Sequence, residues 1–231
     1  MVNVLRAELQ KMVGNRWTTG FLIWIFPVGA LGFVGLMSLL ALLIPSFRDN
    51  IYPSLWTDNF LVPWGFINNL FGRMFLLGFT AVTFAGEYQW GTWKNIVPRQ
   101  RRGLLIMAKF IVLGVLILIA FSLMSLIFGF GYGILTRIAD ITYGPEVTGQ
   151  VVREFLSDYA LQATLTFVSV IIASIYAALS ALLMRSILGG IMVGVGISMV
   201  EPLIFGANLW LARLFDSVFF LHLGRFSVAK R

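Results

Sequence analysis

The chain has 231 residues, of which 59% are hydrophobic and only 12% charged, and its formal net charge is +7. A soluble domain carries about a quarter charged residues, so this composition, with a mean hydropathy of +0.90, indicates an integral membrane protein. There is no Cys and a single His, His222; disulfides, thiol catalysis and His- or Cys-based metal clusters are excluded, and the positive balance must be tested against membrane topology before any nucleic-acid role is considered.

Residues 1–16 precede any span. Val2, Leu5, Leu9, Met12 and Val13 recur at helical spacing, while Arg6, Glu8, Gln10 and Lys11 fall mainly on the other side. That pattern fits a short amphipathic helix at the membrane surface; a plain polar tail is the alternative. The charges at Arg6, Glu8, Lys11 and Arg16 stand before an apolar run far longer than a signal-peptide core, so no cleavable signal is expected.

The first span is predicted over about 21–44, where Gly29, Gly32 and Gly35 share a face suited to close helix packing. A connection rich in breakers follows, with Pro45, Arg48, Asp49, Asn50, Pro53 and Asp58. The second span is predicted over about 61–85. It contains Asn68, Asn69 and Arg73, groups that are costly in hydrocarbon. Arg73 either faces protein or water or snorkels outward from an interfacial position.

A charged and aromatic segment, 86–103, separates this run from the next. Glu87 opens it, residues 87–97 suit about three helical turns, and Pro98 ends them. On such a helix Tyr88, Thr92 and Asn95 fall on one side and Trp90, Trp93 and Val97 on another. Arg99, Arg101 and Arg102 follow at the membrane surface, where anionic headgroups would attract them. An interfacial anchor of Trp and basic residues would have the same composition.

The third span, about 104–135, is too long for a simple crossing and must tilt, kink or protrude, with Gly129, Gly131 and Gly133 loosening its far end. An exposed loop of about twenty residues is expected next. The fourth span, about 159–184, is separated from the fifth, 187–202, only by Arg185 and Ser186, which predicts a tight hairpin. Gly190 and Gly194 form a GxxxG pair that marks packing. Glu201–Pro202 interrupts the fifth run. Residues 203–223 contain Asn208, Arg213 and Asp216 and suit a re-entrant or interfacial pair of short helices.

With the N-terminus inside, Arg6, Lys11, Arg16, Lys94, Arg99, Arg101, Arg102, Lys109 and Arg185 are cytoplasmic, against Arg48, Arg137 and Arg153 outside. The bias predicts a multi-pass cell-membrane protein with a cytoplasmic N-terminus. Arg225, Lys230 and Arg231 fit that rule only near a further, sixth span. No GxxxxGK[ST], HExxH or GxSxG motif occurs, so neither P-loop nucleotide binding nor those catalytic arrangements is supported.

The order E-Y-x-x-G-T-x-K followed by spaced basic residues, at Glu87, Tyr88, Gly91, Thr92, Lys94, Arg99, Arg102 and Lys109, resembles the permeases of ABC-2 type ABC transporters. The R-x-E-x-x-K of Arg6, Glu8 and Lys11 is similar to that family's amphipathic connecting helix. The resemblance implies the all-α transmembrane domain of an ABC-2 type (type V) exporter: an N-terminal interfacial helix, five visible spans, a re-entrant segment and an expected sixth span. It implies that 86–103 is a coupling helix docking on a separate ATP-binding subunit, which would hold the ATP and Mg, so that this chain binds no cofactor and has no catalytic residue. It also implies a second permease copy or a homologous permease beside this one, embedded in membrane lipids, and no nucleic-acid partner. Third-span helices would carry motion to the interface between the two permeases, with glycine faces of the first, second and fifth spans candidates to line it. Asn69, Arg73 and Glu201 are candidate polar points on a pathway for a hydrophobic or amphipathic substrate (lipid, peptide or drug). Two other functions fit the sequence: a non-transporting anchor coupling an ATPase to an extracellular machine, or a lipid-modifying membrane enzyme.

Overall fold

The computed structural model describes residues 2–14, 20–89 and 102–200, and the described residues form helices and no strands. The N-terminal segment is helix α1, Val2–Gly14. A single π-helical turn, Gly20–Trp24, leads without a break into α2, Ile25–Leu43. Pro27 stands three residues past the end of the π turn, where the ladder changes from π to α spacing. Ile44 is extended, with φ −122° and ψ 101°, as the residue before a proline prefers, and Pro45 then opens the single turn α3, Pro45–Arg48.

The second predicted span is two helices, α4, Trp56–Asn68, and α5, Leu70–Gln89, meeting at a bend of 60°. The expected straight run over 61–85 is therefore corrected at both ends and in its middle. The third span, α6, Arg102–Ile138, is one unbroken helix. At 1.5 Å per residue it is about 55 Å long, well beyond a hydrocarbon core of about 30 Å, so it protrudes. Its glycines do not loosen it. Gly129 leaves room for the ring of Phe60, Gly131 for Val34, and Gly133 for Tyr143, each approaching where a Cβ would stand.

Helix α7 spans Gly149–Met184. Thr148 caps it, its hydroxyl accepting from Val151 N at 3.3 Å. The cap starts the helix ten residues before the apolar run, so Arg153, Glu154 and Asp158 stand on its first turns and the expected twenty-residue loop shrinks to 139–148. The tight hairpin is present: Arg185 takes the left-handed conformation (φ 50°), and the Ser186 hydroxyl accepts from Gly189 N at 3.4 Å to open α8, Ile187–Val200. Among the described residues, α2, α6 and α7 are long and apolar enough to cross a membrane, and the bent α4–α5 pair makes a fourth crossing if taken as one span. The expected segment 203–223 lies outside the described residues.

The pairing is alternate. Phe26 meets Phe121 and Phe33 meets Phe128, so α2 and α6 run parallel; Trp64 packs on Phe121 and Phe84 on Phe110, so α4–α5 run antiparallel to α6. The core they enclose is built on Phe26, Trp64, Ile67, Leu113, Ile117 and Phe121. Gly190 and Gly194 of α8 sit against Ala81, Ala177, Ala181 and Leu77 of the same chain. Their close packing is thus internal and not available to a second copy, whereas Gly29, Gly32 and Gly35 of α2 face open space.

At the end of the bundle away from α1, Trp56 N donates to Gly144 O and Trp56 Nε1 to Pro145 O, both at 2.8 Å. Tyr143 OH donates to Gly129 O at 2.7 Å and accepts from Asn59 Nδ2 at 3.3 Å. Burial raises the Tyr143 pKa above 10.0; the Asn59 hydrogen bond lowers it and Tyr132 adds a smaller rise. Below pH 10 the phenol is protonated folded and unfolded alike. Above it the unfolded chain loses the proton first, so stability falls as pH rises toward the folded value. Tyr143→Phe is expected to flatten that alkaline decline while lowering neutral stability by about 1 kcal/mol, as read from unfolding midpoints between pH 7 and 11.

Candidate functional site

The end of the bundle that carries α1 is where α5 finishes and α6 begins. Residues 90–101 connect these two helices and lie outside the described residues. Against this junction α1 presents Leu5, Glu8 and Met12, at i, i+3 and i+7. Met12 enters the main core with Leu5 beside it. Leu9 and Val13 are exposed, which corrects the expected apolar face: Glu8 takes an inward position that the pattern assigned to the polar side.

A counter-charge explains this. Glu8 Oε2 accepts from Lys109 Nζ at 2.9 Å, with the two side chains only 7% and 2% exposed. The same ammonium donates to Thr83 O at 3.4 Å, while the Thr83 hydroxyl donates to Phe79 O at 2.8 Å. One buried cation therefore joins α1, the last turns of α5 and the second turn of α6. A charge taken out of water persists only when paired and hydrogen-bonded. This pair fixes where α1 sits and how the two helices flanking 90–101 lie relative to it.

The other predicted residues group around that junction unevenly. Arg6 and Lys11 are exposed on the outer side of α1. Glu87 and Tyr88 lie in the last turn of α5 and do not open a helix of their own, because nothing between Thr83 and Ala85 interrupts the preceding one. Arg102 is the first residue of α6. Gly91, Thr92, Lys94 and Arg99 fall outside the described residues, as does Glu201.

A second polar constellation joins the end of α4 and the length of α5 to α7. Asn68 Nδ2 donates to Thr166 Oγ1 at 3.1 Å. Arg73 Nη2 donates to Ser169 Oγ at 2.8 Å and to Asn68 Oδ1 at 3.4 Å. Further along, Thr80 Oγ1 and Ser174 Oγ are 3.3 Å apart. Partner numbers rise together, so α5 and α7 are parallel. Of the two readings of Arg73, the contacts favour the one facing protein. Asn69 is exposed, and its backbone ends α4 by donating to Phe66 O at 2.9 Å.

Sequence reasoning placed Lys109 at the end of a basic stretch and missed its partner. One signal was present: Glu8 is the sole acidic residue before Asp49, and Lys109 lies a turn and a half inside an apolar helix, where a charge must find an opposite one. The Thr83 carbonyl and the Ser169 and Thr166 hydroxyls carry no such signal.

The sequence profile of the family described as "ABC-2 family transporter protein" matches residues 4–201. No curated protein and no solved structure matches the chain.

Proposed function

The chain belongs to the ABC-2 family of transporters, and from that premise we propose that it is the permease subunit of an ATP-driven exporter whose ATP-binding subunit is a separate chain. The observation that carries this reading is the Lys109 junction. A docking segment transmits force only if its flanking helices are held to each other and to the rest of the membrane domain. The Glu8–Lys109–Thr83 contacts join α5 and α6, the helices on either side of 90–101, to each other and to α1. In this reading α1 is the connecting helix, with Leu9 and Val13 turned to lipid and Arg6 and Lys11 to headgroups. Residues 86–103 are the coupling segment, with Glu87, Tyr88, Gly91, Thr92, Lys94, Arg99 and Arg102 meeting the ATP-binding subunit.

Charge supports the orientation. Among the described residues, Arg6, Lys11, Arg102, Lys109 and Arg185 outnumber Glu8 and Glu87 at the α1 end, whereas at the opposite end Asp49, Asp58, Asp140, Glu146, Glu154 and Asp158 outnumber Arg48, Arg137 and Arg153. There Asp58, Glu154 and Asp158 border a cavity of about 250 Å³ between α4 and α7. The positive end is cytoplasmic by the usual loop bias. ATP and Mg belong to the partner, a second permease completes the pathway, and the cargo is hydrophobic or amphipathic, as the apolar composition favours.

Purification in detergent is expected to bring down an ATP-binding subunit. Glu87→Arg is expected to lower permease-stimulated ATP hydrolysis by at least about tenfold, the equivalent of about 1.4 kcal/mol of lost docking energy. Undiminished stimulation in that variant would sink the assignment.

A further inference from the structure

We propose that the groove where α5 begins, bordered by Arg73, Ser169 and Ser198, is an intramembrane site for an anionic oxygen group, a carboxylate or a phosphate. With a cargo headgroup as the occupant, the proposal rests on the exporter reading above and deepens it by naming the headgroup chemistry.

Arg73 is held deep in the bundle. Its partner Ser169 stands 11 residues past Asp158 and 16 before Arg185 on α7, about 16 Å and 24 Å from those charges at 1.5 Å per residue. A guanidinium at that depth calls for an anion. Ser169 Oγ and Asn68 Oδ1 accept from Arg73 Nη2 and fix its direction, but both are neutral. The surrounding helices carry no carboxylate at this depth: no Asp or Glu occurs at 17–48, 59–86, 102–138 or 159–200. The counter-charge therefore comes from elsewhere, either from Glu201 further along the chain or from a bound molecule.

On α8, Ser198 is only 7% exposed, and its hydroxyl has no hydrogen-bond partner among the described residues. A buried hydroxyl left in that state is costly until a partner arrives. Ser198 shares the face of α8 that carries Gly190 and Gly194, at i, i+4 and i+8. Gly190 rests on Ala81 and Ala181, and Gly194 on Leu77 and Ala177, so α8 runs antiparallel to both α5 and α7. Val195 packs beside Leu77, Ala173 and Ala177. Carried one turn further, this register brings Ser198 to the height of Arg73 and Ala173, a turn from Ser169. The hydroxyl is thus turned to the groove that Arg73 enters.

The joint at Asn68–Asn69 contributes as well. Because α4 and α5 meet there at 60°, α5 has an N-terminus of its own inside the membrane. The first N–H groups of a helix have no carbonyl of that helix to bond, and the positive end of the dipole favours an anion. Arg73 stands in that first turn, its N–H donating to Asn69 O at 3.0 Å. A cation, a hydroxyl and a helix N-terminus together suit a carboxylate or phosphate and disfavour a cationic group.

The test uses the full chain purified in dodecyl maltoside, with dodecyl phosphate as the probe and dodecyltrimethylammonium as its cationic control, read by the thermal unfolding midpoint across a titration. Dodecyl phosphate is expected to raise the midpoint by several degrees, and the control is not. If a cargo headgroup is the natural occupant, the rise is seen in the parent. If Glu201 fills the site, the rise appears only in Glu201→Gln, which vacates it. In either case Arg73→Gln is expected to abolish it. Ser198→Ala removes one donor and no charge, and is expected to weaken the apparent affinity at least about fivefold. No rise in the parent or in Glu201→Gln, or a rise that survives Arg73→Gln, overturns the proposal. Should Arg73→Gln not fold, an unchanged affinity in Ser198→Ala overturns it. The titration needs no ATP-binding subunit, so the site stands or falls apart from the exporter assignment, which Glu87→Arg tests.

Discussion

Lys109→Met is expected to destabilise the protein by about 3–5 kcal/mol, the usual consequence of leaving one charge of a buried pair alone. For a chain of this size that corresponds to a fall in the unfolding midpoint on the order of 10 °C. Glu8 would be left in a site where its side chain is 7% exposed, with its ammonium partner gone. Glu8→Met/Lys109→Met removes both charges and is expected to recover most of the loss, since an apolar pair of similar volume commonly matches a buried ion pair. The measurement is thermal unfolding in detergent, with protease sensitivity of residues 1–16 as a second reading. A single variant that melts with the parent would show that α1 is held by Leu5 and Met12 alone. The double variant separates stability from force transmission: it is expected to stay folded while stimulating hydrolysis less, because an apolar contact lacks the directional bond to Thr83 O.

Gly190→Ala is expected to push α8 away from the bundle. The added carbon would stand 2.6 Å from Ala181 Cβ, 2.9 Å from Ala81 Cβ and 3.0 Å from Ala177 O. None of these is the free end of a flexible side chain. Two helices have to separate, at about 1–3 kcal/mol for one methyl of overpacking. Gly196→Ala is the control, since nothing lies within 4 Å of that position; the same methyl there is expected to be neutral. Equal melting of the two variants would remove the internal role assigned to the GxxxG pair.

The helices were legible where hydropathy alone defines them. Residues 21–44 read as a span because no charge interrupts them, and Ile25–Leu43 is a helix. Boundaries written in polar residues were not legible. Thr148 starts α7 ahead of any apolar run, and only its hydrogen bond to Val151 N reveals it. The joint at Asn68–Asn69 was hidden for the opposite reason: apolar residues continue on both sides of it, and the bend is fixed by Thr166 and Ser169, nearly a hundred positions away. Gly129, Gly131 and Gly133 looked like weakness in a helix; their meaning depended on Phe60, Val34 and Tyr143 arriving from elsewhere. Of the site, charge sign and approximate place were readable at Glu8 and Lys109, but pairing across 101 positions was not.

The hydrogen bonds at the joint also set an order of events during synthesis. Asn68 and Arg73 leave the ribosome 98 and 96 residues before the hydroxyls of Thr166 and Ser169 that receive them. At roughly 5–20 residues per second, the second span waits on the order of 5–20 s beside the insertion machinery before the fourth can meet it. Over that interval the groups that serve the joint in the finished protein are an obstacle to partitioning into lipid. The polar groups of the second span thus receive their partners only when the fourth span is made.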